Sequence, residues 1–239
     1  MICPHWVHRV PNEDPPFIPT PSRSCYGVGL TGGVDKNGYP RGRKMSREDA
    51  KSIARELKNQ VIILGGIVAL MWLLEIVDRF FLRGALDIYG IIPHSTIGLR
   101  GILFAPFLHG NFFHLAANTV PFVTLGWLIM LRETSDFFIV SAITMLVSGL
   151  GVWLTAPSNS LHIGASGVVF GYLGFLLLRG YFERSIISIA LSLIVGFFYG
   201  SLIWGVLPSQ IGISWQGHLF GFIGGAIAAR LLPQRKPVS

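Results

Sequence analysis

The sequence predicts an all-α, polytopic membrane protein with six transmembrane helices. Three observations carry that expectation. Hydrophobic residues make up 51% of the 239-residue chain and charged residues only 13%. About half of the charge lies before residue 60, and the apolar runs that follow carry charges mostly in the gaps between them. Lys and Arg are unevenly shared between alternate gaps. A soluble domain of this length has no reason to segregate charge in this way, whereas a chain threaded through a bilayer does.

Residues 1–45 are rich in Pro, Gly, Ser and Arg and read as a disordered or loosely ordered cytoplasmic tail. No apolar core follows the first residues, so a secretory signal is not expected, and Glu13, Asp14 and Asp35 break the acid-poor pattern of a transit peptide. The only cysteines, Cys3 and Cys25, give no disulfide framework. With His5 and His8 they match no zinc spacing. Residues 46–59, SREDAKSIARELKN, predict a charged juxtamembrane helix that Ser46 can cap, with Asp49 reaching back.

A bilayer core takes about 20 apolar residues per helix. Six segments qualify: 61–82, 112–131, 136–154, 164–182, 186–207 and 217–232. The last is short and glycine-rich. Gly217, Gly221 and Gly225 recur every fourth residue, as in a helix packed closely inside a bundle, and Gly167 and Gly171 offer a matching face on the fourth segment. Residues 233–239 are read as a short cytoplasmic tail.

Ten Lys and Arg precede residue 60, and Arg132, Arg179, Arg184, Arg230, Arg235 and Lys236 lie on the same side. Only Arg79, Arg83 and Arg100 lie toward the other. Positive residues mark the cytoplasmic side, so both termini are expected there, in a plasma (inner) membrane protein. The net charge of +7 reflects this bias and an attraction to anionic lipid, and does not point to nucleic acid.

On this topology three spans run inward from the outer face, and each carries polar residues in its first turns. His114 and Asn118 are four apart and share one helix face, Ser166 opens the fourth span, and His218 opens the sixth. Each alone can bridge helices. Together, at one depth, they can do chemistry. Ser166 is a weak nucleophile that needs a base, which His218 can supply. Asn118, His114 and the Ser166 N–H are suitable oxyanion donors. No acid is placed to complete a triad, so a Ser–His dyad is expected. Gly164, Ala165 and Gly167 around Ser166 are expected to let a substrate backbone approach. A rival reading takes His109, His114, His162 and His218 as ion ligands or proton relays of a transporter. A zinc peptidase is not expected, because no H-E-x-x-H occurs.

The segments HGNFFHLAANT, GASGVVFG and GHLFGFIGG, in this order, resemble the signature segments of the rhomboid intramembrane serine proteases. The resemblance spans roughly residues 60–232 and implies a six-helix rhomboid-like bundle over that range. It implies a Ser166–His218 dyad, with His114 and Asn118 stabilising the oxyanion. It further implies cleavage of transmembrane protein substrates within the lipid bilayer without metal or cofactor. His109 matches a histidine that supports the first loop. Phe170, one turn after Ser166, matches an aromatic residue that packs on the catalytic imidazole and is often Tyr. Gly164, Gly167 and Gly221 belong to the same segments. The sequence departs from the family's Trp-Arg pair, with Leu99-Arg100-Gly101 in its place. A catalytically silent, helix-binding relative would be expected to lack Ser166 or His218. The apolar loop 83–111 is expected to dip into the membrane interface. The loop 208–216, PSQIGISWQ, is expected to act as a lid, with Trp215 as an anchor.

Overall fold

The computed structural model describes residues 46–208 and 212–233. The tail 1–45 with Cys3, His5, His8 and Cys25, residues 209–211 of the expected lid, and residues 234–239 lie outside the described residues. From Glu48 onward the chain forms one compact unit. Among the described residues its regular structure is all helical, apart from a single antiparallel bridge between Ile91 and His162.

Six long helices build it: α1 (Arg47–Val77), α2 (Phe112–Met130), α3 (Thr134–Thr155), α4 (Ser166–Glu183), α5 (Ile186–Tyr199) and α6 (Trp215–Leu231). The juxtamembrane helix and the first apolar segment, expected as two pieces, are the single helix α1 of 31 residues. No proline interrupts it. It ends where the backbone widens into a π-helical turn, Asp78–Leu82, and where Arg83 (φ 56) and Gly84 (φ 85) turn left-handed. The Asn111 side chain caps α2 by accepting from the His114 N–H at 2.8 Å. Ser185 and Ser214 cap α5 and α6 in the same way. A 3₁₀ segment, Gly200–Val206, prolongs α5.

By length and composition, four stretches can cross a membrane: Arg47–Leu82, Phe112–Met130, Thr134–Thr155 and Ile186–Val206. The chain is an integral membrane protein. Helices α4 and α6, expected as spans, have 18 and 17 residues and do not meet that measure. Their burial explains the weaker apolar signal. Every residue of α4 from Val168 to Leu176 is buried. A helix surrounded by protein can afford glycines and ionised groups that lipid would exclude. By contrast Ile186, Ile187 and Phe197 of α5 are more than four-fifths exposed and offer an apolar face to lipid.

Small residues set the α3–α4–α6 contact. A Cβ on Gly221 would strike the Gly167 carbonyl, and one on Gly225 the Gly171 carbonyl, so α4 and α6 touch backbone to backbone. Thr144 and Ser148 of α3 fill the space beside Gly171 and Gly167. At the other end buried Arg179 of α4 donates to the carbonyls of Ala229 (3.0 Å) and Leu232 (2.9 Å), which closes the last turn of α6. Arg132 and Glu183 form a forked ion pair beside it.

Candidate active site

The starts of α2, α4 and α6 meet at one end of the bundle. Ser166 is the first residue of α4, half-buried, behind a fully buried Ala165. Four hydrogen bonds from the 83–111 connection hold the residues before it. Ile91 and His162 exchange backbone bonds at 2.9 and 3.0 Å, Gly164 N–H donates to the Ala105 carbonyl at 2.9 Å, and Ala165 N–H donates to His109 Nε2 at 3.3 Å. His109 is buried, and burial, with His114 adjacent, pushes its imidazole down to about 4. It is therefore neutral and able to accept.

His218 sits in the first turn of α6, buried, with its ring stacked on Phe170 at 4.0 Å and 5°. Its Nδ1 lies 2.8 Å from the Gly205 carbonyl. A carbonyl only accepts, so Nδ1 carries the proton and Nε2 bears the lone pair. The glycine crossing of α4 and α6 joins the helix starts that bear Ser166 and His218. Among the described residues no hydrogen bond joins these two side chains.

Asn118 is buried one turn beyond His114 on α2, and its Nδ2 has no hydrogen-bond partner among the described residues. Both side chains close on Gly164. A Cβ there would lie 2.8 Å from His114 Nε2 and 3.7 Å from Asn118 Nδ2, and the backbone φ of +118° independently demands glycine. The space a Cβ would take at Gly164 and at Gly167 is thus filled by neighbours within the bundle. His114 fills the first, and Ser148 with the Gly217 carbonyl fills the second. Gly221 serves the helix crossing.

A cavity of about 40 Å³, room for a water molecule, lies beside Ser166 and is lined by Ser148, His162, Gly164, Ser214 and Gly217. His162 stands apart from the other histidines. Its ring ties Ser160 (2.8 Å) to Ser214 (2.7 Å), the cap of α6, and burial lowers its proton affinity. Among the described residues no three of His, Cys, Asp and Glu gather as metal ligands do. Sequence reasoning missed Gly205, whose backbone carbonyl leaves no mark in residue type. Arg79, read from the sequence as a marker of the outer side, pairs with Glu75 at 2.9 Å. In place of the missing Trp-Arg pair, Arg100 donates to the Ile88 carbonyl at 3.0 Å and lies over the Tyr89 ring.

Comparison with known proteins gives a consistent result. The family model described as the rhomboid domain matches residues 98–235. An uncharacterized protein of Mycobacterium tuberculosis is 46% identical over 180 residues, covering 71% of this chain and 74% of that protein. An uncharacterized protein of Mycobacterium leprae is 42% identical over 189 residues, 73% and 74% of the two chains. A Bacillus subtilis protein named, provisionally, as a rhomboid protease is 31% identical over 132 residues, 54% of this chain and 65% of its own.

Proposed function

The chain belongs to the rhomboid family, and from that premise we propose that it is an intramembrane serine endopeptidase working through a Ser166–His218 dyad. The family is one of intramembrane proteases that act on membrane proteins within the bilayer. The unpaired amide of Asn118 carries the reading at this site. A buried donor without a partner is costly, and this one lies against Gly164, two residues before Ser166. A transition-state oxyanion would be that partner.

In this mechanism Ser166 Oγ attacks the scissile carbonyl while His218 Nε2 takes its proton. The Nδ1–H stays on the Gly205 carbonyl. The oxyanion is held by Asn118, by His114 and by the Ser166 N–H at the positive end of α4. His218 then returns the proton to the leaving amine. A water entering by the cavity beside Ser166 gives a proton to the same imidazole and attacks the acyl carbon, and the imidazole passes that proton to Ser166 Oγ as the acyl–serine bond breaks. Phe170 keeps the imidazole plane fixed through both steps. An intact substrate helix hides its carbonyls in its own hydrogen bonds, so the substrate must unwind locally. Gly or Pro near the cut lowers that cost by about 1 and 3 kcal/mol relative to Ala.

All six helices cross the bilayer in this reading, within a protease domain of residues 60–232. Both termini are cytoplasmic, in the plasma (inner) membrane, and the cut lies near the outer face. Incubation of purified protein with a single-span substrate and with a fluorophosphonate probe tests the chemistry. Wild type should cleave and label, and Ser166→Ala should do neither. Cleavage by purified Ser166→Ala would overturn it.

A further inference from the structure

Arg79 lies at the end of α1, outside every motif so far considered. Its guanidinium donates to two successive backbone carbonyls, those of His109 (3.4 Å) and Gly110, across 30 residues of sequence. Three carboxylates surround its own helix end. Glu75, buried to 3% exposure, accepts from Nε at 2.9 Å. Asp87 lies 3.7 Å from Nη2. Asp78 is occupied elsewhere, accepting from the Leu86 N–H at 2.8 Å. Arg79 is thus anchored on one side by a buried acid and applied on the other to a turn.

That turn, residues 109–111, has two outlets, and both reach the peptides ahead of Ser166. Through His109 it holds the Ala165 N–H. Through Asn111, which caps α2, it sets the first helical turn and so the His114 ring that covers Gly164. The two histidine rings meet edge to face at 5.1 Å, so the outlets are coupled. Nη2 meets both carbonyls while Nε holds Glu75, so the planar guanidinium bridges the acid and the turn, which the single nitrogen of an ammonium does less well. We infer that Arg79 is a positioning residue. By gripping the 109–110 carbonyls it fixes the peptides of residues 164–165 and the His114 ring relative to Ser166. This rests on the protease reading for its effect on rate, though not for its effect on the backbone.

The test uses full-length protein in liposomes, as wild type, Arg79→Gln and Arg79→Lys. Arg79→Gln should lower kcat by about tenfold to a hundredfold, the cost of a misplacement of about 1 Å. KM should stay within about twofold, because no substrate contact is removed. Arg79→Lys should recover part of the rate, since an ammonium reaches one carbonyl. Amide hydrogen exchange gives a second readout that needs no activity. In Arg79→Gln, exchange should rise at residues 105–115 and 162–166 and stay unchanged in 168–176. Unaltered kcat together with unaltered exchange at 162–166 overturns the inference. So does a variant in which exchange rises throughout α4, or in which Lys is no better than Gln. If wild type itself neither labels nor cleaves, the protease reading falls, while the exchange pattern still decides the role of Arg79.

Discussion

Asn118 and His114 approach the same glycine, Gly164. Asn118→Ala removes one neutral donor that the resting protein leaves unused, so turnover should fall by about 10²–10³-fold with KM little changed. Steady-state kinetics in liposomes checks this, and an unchanged kcat would exclude Asn118 from the site. His109 acts on stability instead. An exposed imidazole titrates near 6.5 and this one near 4, so between those values the unfolded chain binds more protons than the folded one. The stabilisation is complete above pH 6.5 and is lost as pH falls toward 4, by about 3 kcal/mol. His162 shifts in the same direction. The thermal midpoint should drop over that window, and His109→Gln, which can still accept from Ala165 N–H, should flatten the decline. At this scale the sequence placed side chains well: Ser166, His218, His114 and Asn118, expected in the first turns of three helices, lie there. It was silent on the Gly205 carbonyl, because backbone groups are the same in every residue. It was also silent on which neighbours lie against Gly164 and Gly167, because an absent Cβ does not name them.

Helix crossings follow the same logic one level up. Gly225 and Gly65 are both glycines within helices, yet they should respond to substitution in opposite ways. Nothing lies within 4 Å of a Cβ at Gly65, so Gly65→Ala should stabilise α1 by about 0.5–1 kcal/mol through helix propensity alone. At Gly225 the added atom meets the backbone of α4, which cannot turn aside as a side chain would. Gly225→Leu should cost about 3 kcal/mol or more and reduce activity with it. Thermal unfolding of the two variants in detergent distinguishes them. The repeat of glycines every fourth residue announced this interface in the sequence. The true length of α1 was not announced, because its polar first half and apolar second half carry different patterns over one unbroken backbone.

For the molecule as a whole, each of the six apolar segments falls on a helix, and four of them have the length and composition to cross a membrane; glycines and ionised residues dilute the signal of α4 and α6. Their place inside the bundle accounts for that dilution, since hydropathy reports what faces lipid. The proposed orientation has a direct check. A tag on the N-terminus should resist protease added to intact cells, and digestion from outside would reverse the assignment.

The hydrogen bond from His218 to Gly205 joins the base to a segment that does not belong to its own helix. Gly205 lies in the stretch that prolongs α5, the most lipid-exposed of the six helices. Whatever displaces that stretch carries away the acceptor that fixes the imidazole tautomer, and the ring loses its reason to keep Nε2 bare. If His218 is the base proposed above, it carries a safety interlock: the tautomer it needs is held by a stretch outside its own helix, with no change required at Ser166.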